Sequence, residues 1–268
     1  MARHSPRPRR PLARLFSGRP GPDARFGARL LTTVAATALV SVPFALALVL
    51  VEAQWPPLAR LDRGTAERLH AAALEHPAWV RLLGVLSDVV WDPLTMRLLV
   101  AALVVWLLLR GARRLAAWAA VTATAGGLLG LLVKHVVARA RPHLPDPVAD
   151  APGYSFPSGH AMTATTSCAV LLLALLPLVP RRLRPVAWGL AAVSVVGVGY
   201  TRVALGVHWV SDVVGGCLLG LAVVTATTLA FEAWRADVGR RRTTPVQGLE
   251  PEIRSEHPEP PVGTPERP

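Results

Sequence analysis

Lysine is almost absent from this chain. Of its 29 basic side chains only Lys134 is a lysine, and all the others are arginines. The composition therefore uses arginine wherever a generic positive charge suffices. Because an ammonium is a compact point charge and a guanidinium is a planar fork, the single lysine indicates a position that requires an ammonium.

Cysteine and charged residues are also scarce. Cys168 and Cys217 both lie in apolar runs and form no CxxC pair, which excludes a disulfide framework and favours buried packing thiols. Charged residues make up 17% of the chain and hydrophobic residues 52%, with a mean hydropathy of +0.40. This composition excludes an ordinary soluble protein and favours a polytopic membrane protein.

The net charge of +12 would suit a nucleic-acid-binding protein if the chain were soluble. The arginines, however, cluster between apolar runs and in the two tails. The first 29 residues carry eight arginines against one acid, Asp23. Orientation in a membrane explains this distribution better than a nucleic-acid-binding face does, so we expect no nucleic-acid partner.

Six apolar runs are candidates for membrane-spanning helices, which need about 20 predominantly apolar residues. Asp92-Pro93 marks the start of the second, since aspartate caps free N–H groups and proline fits the first turn. The sequence therefore predicts an all-α bundle of six transmembrane helices. The predicted spans are Leu30–Val51, Leu94–Leu109, Leu115–Val133, Ala161–Val179, Pro185–Tyr200 and Val213–Phe231.

The predicted membrane domain covers residues 30–235. The flanking segments 1–29 and 236–268 are rich in proline and polar residues and have no apolar periodicity, which predicts disordered tails. Between the first two spans, Thr65–Leu86 alternates apolar and charged residues at helical spacing, which predicts an amphipathic helix on the outer membrane surface. A cleaved signal peptide is the alternative for the N-terminus, but its apolar run exceeds the about 7–15 residues of a typical signal core.

The arginine-rich segments predict the orientation of the bundle. They precede the first span and follow the second, fourth and sixth, so all of them fall on one side of the membrane. The positive-inside tendency makes this side the cytoplasm and places both termini there, in a multi-pass plasma-membrane protein. Three polar clusters fall on the opposite, extracytoplasmic side. The arginines that follow spans are Arg110, Arg113, Arg114, Arg181, Arg182, Arg184, Arg235 and Arg240–Arg242.

The first cluster pairs Lys134 with Arg141 at the end of the third span. Seven residues separate them, so a continuing helix would place both on one face two turns apart, and Pro142 would then end it. Two cations facing one way are able to bind a phosphate. The alternative is that both basic side chains reach to the membrane interface, which is common at span ends.

The second cluster is Pro157-Ser158-Gly159-His160, directly before the fourth span. Ser158 is placed to cap the helix, and Gly159 lets a ligand approach the backbone. Free N–H groups at a helix start attract anions, and His160 would stand beside a bound anion, suited to proton donation. The alternative is a capped helix with an interfacial histidine.

The third cluster is Arg202-x5-His208-x3-Asp212. Residues four apart share a helical face, so Asp212 is able to hydrogen-bond one nitrogen of His208 and leave the other as an oriented nucleophile. An ionised carboxylate entering an apolar span costs about 2.5–3.5 kcal/mol, which favours a functional role. A purely structural histidine–aspartate pair is the alternative.

Taken together, the clusters resemble the three signature motifs of the type 2 phosphatidic acid phosphatase (PAP2) superfamily. These motifs are K-x6-R-P, P-S-G-H and S-R-x5-H-x3-D. The first two match in full, and the third has Thr201 in place of serine, which keeps a hydroxyl and adds a methyl group. The resemblance covers roughly residues 30–235 and neither tail. Arg139 and His135 are not motif positions, and we interpret both as surface or packing residues.

The resemblance implies a phosphatase that needs no metal or other cofactor and acts on a lipid phosphate or diphosphate in the bilayer. Polyprenyl diphosphate, phosphatidic acid and phosphatidylglycerol phosphate are the candidate substrates. His208 would form a phosphohistidine, Asp212 would orient it, and His160 would protonate the leaving oxygen. The remaining motif residues would hold the phosphate: Lys134, Arg141, Ser158, Gly159 and Arg202.

Two alternatives remain at this stage. A transferase of the same superfamily would pass the phosphoryl group to an acceptor other than water. A transporter or a haem-binding electron carrier would use intramembrane histidines, but His160 and His208 fall at span ends and not within spans. The residues indicate no particular oligomeric state.

Overall fold

The protein is described by a computed structural model over residues 22–238 and 243–249. The regular structure of these residues is helical, with a π-helical turn at Leu86–Val90 and two short 3-10 turns between α6 and α7. The eight α-helices are α1 Pro22–Glu52, α2 Pro56–Glu75, α3 Pro77–Val85, α4 Pro93–Leu109, α5 Arg113–Val137, α6 Gly159–Leu175, α7 Arg184–Ala204 and α8 Val210–Asp237.

Six helical segments are long and apolar enough to cross a bilayer, which confirms the predicted six-helix bundle. The second is longer than predicted, because α3 and the π-helical turn continue into α4. Asp92 caps α4 as predicted, accepting from the backbone N–H groups of Leu94 at 2.7 Å and Thr95 at 3.2 Å. The segments are Val34–Glu52, Pro77–Leu109, Arg113–Val137, Gly159–Leu178, Arg181–Ala204 and Val210–Asp237.

The amphipathic helix predicted at Thr65–Leu86 is wrong in its bounds. The helix α2 begins earlier, at Pro56, and the chain breaks at His76, which has φ −130° and ψ 72°. The break arises because Pro77 disfavours the helical conformation in the preceding residue and lacks an N–H group. The buried residues of α2 share one face at helical spacing, as expected for an amphipathic helix: Asp62, Ala66, His70 and Ala73.

The central helix of the bundle is α6, which packs against α4, α5, α7 and α8. Close approach depends on glycines in the neighbouring helices. A Cβ at Gly130 of α5 would lie 2.8 Å from Met162 Sδ, and one at Gly216 of α8 would lie 2.6 Å from the carbonyl oxygen of Ser158. Gly216 thus lets the start of α8 approach the start of α6, where the second and third polar clusters lie.

The two ends of the bundle differ in character. At one end α5 and α7 finish and α6 and α8 begin, and this end carries all three polar clusters. The opposite end is packed with apolar residues from α4, α5, α6 and α8. This core includes Leu103, Leu107, Leu115, Trp118, Val170, Leu173 and Phe231.

The structure departs from the predicted tail boundaries. Helix α1 begins at Pro22, so it overlaps the predicted 1–29 tail. Residues 243–249 lie within the predicted disordered 236–268 tail but pack on the bundle. Thr243 donates from its backbone N–H and its hydroxyl to the buried Glu232 carboxylate, both at 2.9 Å, and the buried Leu249 donates its N–H to Leu173 at 2.7 Å. Residues 1–21, 239–242 and 250–268 lie outside the described residues.

The packing of residues 243–249 on the bundle is testable through Leu249. Leu249→Ala is expected to lower the free energy of unfolding by about 2 kcal/mol, since it deletes buried methyl groups and leaves a cavity. Val246→Ala is the matched control, because Val246 is 66% exposed in the same segment. Thermal unfolding in detergent measures both. Equal midpoints for the two variants would contradict the packing of Leu249.

Candidate active site

Lys134 lies in the last turn of α5, but the helix does not continue to Arg141 as predicted. It ends at Val137 because Ala138 adopts a left-handed conformation, with φ 48° and ψ 32°, and returns its N–H to the Lys134 carbonyl. The residues from 138 to 158 form an irregular loop. Lys134 Nζ donates to the Tyr154 carbonyl at 2.7 Å, so a loop, and not a helix face, brings the first cluster to the second.

Arg141 crosslinks that loop to the third cluster. Its Nε and one terminal nitrogen each donate at 3.0 Å, to the carbonyls of Gly153 and Pro152. The other terminal nitrogen donates to the Val207 carbonyl at 2.6 Å and lies 3.1 Å from Nε2 of His208. Burial lowers the pKa of Arg141 from its ordinary value, and the nearby Asp212 carboxylate opposes that shift.

The contacts of His208 define its tautomer. A guanidinium has only donors, so Nε2 beside Arg141 is the unprotonated nitrogen and Nδ1 carries the proton. Nδ1 faces Asp212 Oδ2 at 3.4 Å. The imidazole is 2% exposed, and this burial lowers its pKa to about 4 against the opposing effect of Asp212. The neutral ring therefore directs a lone pair from Nε2 towards the arginine.

The predicted contact between His208 and Asp212 is present, but it does not run along one helix face. Because α8 begins at Val210, the imidazole precedes the helix and the carboxylate stands in its first turn. Asp212 Oδ2 also accepts from the backbone N–H of Trp209 at 2.8 Å and from the Ser155 hydroxyl. The carboxylate thus caps its own helix while it orients the imidazole.

The second cluster begins α6 as predicted. Ser158 is the N-cap, and its Oγ accepts from the Ala161 N–H at 3.5 Å. Its own N–H donates to the Asp212 carbonyl at 2.9 Å, which ties the start of α6 to α8. A Cβ at Gly159 would meet nothing within 4 Å, so open space lies beside this backbone. His160 is half-buried within electrostatic range of His208.

Arg202 approaches from the last turn of α7. The side chain is 5% exposed and donates to the Ser87 hydroxyl at 2.7 Å and Asp88 Oδ1 at 3.4 Å. Its buried Nε has no hydrogen-bond partner within the part of the chain that the structure describes. The Thr201 hydroxyl instead bonds the Val198 carbonyl of its own helix at 2.8 Å. Arg202 thus retains a donor for a ligand, whereas Thr201 stabilises the helix.

The interpretation of Arg139 as a surface or packing residue is wrong. It donates to Asp212 Oδ1 and to the Ser211 hydroxyl, both at 2.7 Å, and to Asp62 Oδ2 at 2.9 Å. His135, interpreted in the same way, is exposed. A sequence signal for the Arg139 contact does exist, because Asp62 is the one acid on the buried face of α2. Its partner could not be identified from spacing.

Comparison with known proteins finds one matching family model. Residues 115–236 match the sequence model of the PAP2 superfamily. This part of the chain is similar to the PAP2 superfamily. The matched range contains all three motifs, from Lys134 to Asp212, but not Asp62, Ser87 or Asp88, which come from earlier helices.

Two curated proteins are similar to this chain. An undecaprenyl-diphosphatase of Sulfolobus acidocaldarius is 32% identical over 140 residues, which is 50% of this chain and 59% of the relative. Phosphatidylglycerophosphatase B of Bacillus subtilis is 38% identical over 96 residues, 35% of this chain and 47% of the relative. The matches therefore span about half the length of these relatives.

A solved structure shares the PAP2 fold. The crystal structure of a transmembrane PAP2-type phosphatidylglycerolphosphate phosphatase from Bacillus subtilis aligns with a TM-score of 0.64 and 21% identity. The alignment covers 78% of this chain and 98% of the solved one. Together with the six apolar helices, it establishes a multi-pass membrane protein.

Proposed function

We propose that this protein is a metal-independent phosphatase that hydrolyses a lipid phosphate or diphosphate through a phosphohistidine. The observation that carries the proposal is His208, whose Nε2 lone pair faces Arg141 while its Nδ1–H faces Asp212. The names of the relatives add the substrate class: polyprenyl diphosphate and phosphatidylglycerol phosphate are the first candidates, and phosphatidic acid is the third.

In the first step His208 Nε2 attacks phosphorus. The N–P bond forms while the bond from phosphorus to the leaving oxygen breaks, and His160 gives that oxygen a proton. In the second step water attacks the phosphohistidine and gives a proton to His160. The P–N bond breaks, inorganic phosphate leaves, and both histidines return to their starting states.

Donors around His208 stabilise the charge that redistributes over the phosphate oxygens. Lys134 and Arg202 interact electrostatically with Arg141, so the three cations form one positive region. The backbone at Ser158 and Gly159 adds the positive end of α6. Removing one such preorganised donor commonly costs about 2.7–4 kcal/mol of transition-state stabilisation. Arg141 moves from the His208 lone pair to the phosphate when substrate binds.

The distribution of arginines supports an active site on the extracytoplasmic face. The arginines at 110–114 and 181–184 lie at the end of the bundle opposite His208, so the positive-inside tendency assigns that end, with both chain termini, to the cytoplasm. A membrane-impermeant thiol reagent tests this with cysteines introduced at Asp150 and Arg181. Outside labelling at position 181 would contradict the orientation.

Phosphate release by the purified full-length chain in detergent tests the function. Polyprenyl diphosphate, phosphatidic acid and phosphatidylglycerol phosphate are compared without an added acceptor. Inorganic phosphate from at least one of them is expected. Turnover that requires an added alcohol acceptor would instead make the protein a transferase, and no turnover of any of the three would contradict the proposal.

The unique lysine provides a further prediction. Lys134→Arg is expected to lower kcat/KM by about 100-fold although the charge is kept, because a guanidinium cannot occupy the compact half-buried position of Nζ beside the Tyr154 carbonyl. Steady-state phosphate release measures the loss. Arg60→Lys, the reverse exchange at an exposed site on α2, is the control. Full activity of Lys134→Arg would contradict a specific need for an ammonium.

A further inference from the structure

A carboxylate outside the matched PAP2 range is buried against the start of α8. Asp62 of α2 is 2% exposed. Its Oδ1 accepts from the backbone N–H of Ser211 at 2.9 Å, and its Oδ2 accepts from the Ser211 hydroxyl at 2.5 Å. A buried acid costs free energy unless it is paired, so this position calls for an explanation beyond packing.

Arg139 connects this carboxylate to the catalytic pair. One terminal nitrogen donates to Asp62 Oδ2 at 2.9 Å, and the other donates to Asp212 Oδ1 at 2.7 Å. The guanidinium is 20% exposed, whereas the carboxylates are 2% and 0% exposed. One cation is therefore shared between two buried anions, and the cluster carries a net negative charge next to His208.

We propose that Asp62 and Arg139 are positioning residues for the phosphohistidine chemistry: they hold Asp212 in place and preserve its negative charge beside His208. The inference rests on the proposed function and deepens it, because it assigns the helix α2 a part in catalysis. Asp62 lies outside the three motifs and 146 residues before His208 in the sequence.

The physical reason is that the positive charge of Arg139 is shared between the Asp62 and Asp212 carboxylates. As the N–P bond forms, His208 becomes cationic, and a negative Asp212 stabilises that charge through Nδ1–H. Arg139 bound to Asp212 alone would cancel much of the carboxylate charge. Asp62 attracts the other half of the guanidinium, so Arg139 orients Asp212 without neutralising it. Asp62 also fixes the Ser211 backbone, which immediately precedes Asp212.

Asp62→Asn tests the proposal because it removes the charge and keeps the shape. We expect kcat to fall roughly 10-fold or more while KM for the best lipid substrate stays within about 2-fold, as for other supporting partners of a reacting group. Glu67→Gln makes the same chemical change on the exposed side of α2 and should leave both constants unchanged. An unchanged kcat in correctly folded Asp62→Asn would overturn the proposal.

A second variant separates positioning from mere folding. Arg139→Gln leaves two buried carboxylates without their shared cation, and the repulsion between them displaces Asp212. Adding Asp62→Asn removes one of those charges, so the double variant should be at least about 3-fold more active than Arg139→Gln alone. A purely structural contact predicts that the double variant is no more active than Arg139→Gln. That result would also overturn the proposal.

Thermal unfolding and gel filtration of each variant confine the comparison to folded protein. Activity measurements on His208→Ala distinguish a failure of the Asp62–Arg139 proposal from a failure of the proposed phosphatase function. If His208→Ala keeps its activity, the phosphohistidine mechanism is wrong. If His208→Ala is inactive while Asp62→Asn and the double variant behave as a structural contact would, only the role of Asp62 and Arg139 is wrong.

Discussion

His208→Ala is expected to abolish phosphate release, with a loss of roughly 10⁴-fold or more in kcat. The reason is that Nε2 supplies the electron pair for the N–P bond, and alanine has no atom to replace it. The assay uses purified protein in detergent with EDTA present, where the wild type should keep its activity. Dependence of the wild type on a metal ion would count against the mechanism.

The matched control for this experiment is His135→Ala. His135 stands one residue after Lys134 but is exposed, and its Nδ1 bonds the carbonyl of Leu131 in its own helix, at 2.8 Å. Its removal should leave kcat unchanged. If His208→Ala retains activity within about 10-fold of this control, another group attacks phosphorus.

Asp212→Asn is expected to lower kcat by about 10⁴-fold, as the equivalent change does in hydrolase triads. The amide makes one of the two oxygens into a donor. If that NH2 group faces Nδ1, the imidazole proton moves to Nε2 and the attacking lone pair is lost. In that orientation the Trp209 N–H and the Ser155 hydroxyl also lose their acceptor, and when the amide is turned the other way Arg139 loses its acceptor on this residue.

Single-turnover measurement of phosphoryl transfer to the protein detects this loss directly. Asp150→Asn, the same change in an exposed loop, is the control and should be fully active. Melting temperatures of the two variants show whether Asp212→Asn is folded. A folded Asp212→Asn variant with normal phosphoryl transfer would show that the carboxylate does not set the tautomer of His208.

Hydropathy and capping rules predicted the fold well because both act locally. The six apolar runs predicted six spans, and Asp92 and Ser158 were predicted as caps from the residues next to them. The break at His76 was also readable in principle, since Pro77 alone accounts for it. The helical periodicity of the segment continues across this break, so periodicity alone predicts one uninterrupted helix.

The end of α5 could not be predicted in the same way. Ala138 is an unusual residue for a left-handed conformation, and its neighbours carry no glycine or asparagine to mark it. The Arg139 contacts and the Ser155 N–H, which donates to the Arg139 carbonyl at 2.8 Å, hold the chain in its turned path. These are tertiary interactions, and no local sequence pattern predicts them.

The sequence motifs predicted which residues form the candidate site, but they did not predict the residues that hold Asp212 in place. The four-residue spacing predicted the contact between His208 and Asp212. Arg139 and Asp62, in contrast, are 77 residues apart and meet only in the folded bundle. The segment at 243–249 was missed for a similar reason. Leu249 is a single apolar residue in a polar, proline-rich stretch, and its site on α6 exists only after folding.

The phosphohistidine on His208 is tested most directly by trapping the phosphorylated protein. Lipid substrate labelled in its terminal phosphate is mixed with enzyme, the reaction is quenched in alkali, and the labelled peptide is identified by mass spectrometry. A phosphoryl group is expected on His208, formed at the rate of turnover and absent from His208→Ala. Label on a different residue, or turnover with no protein-bound label under single-turnover conditions, would contradict it.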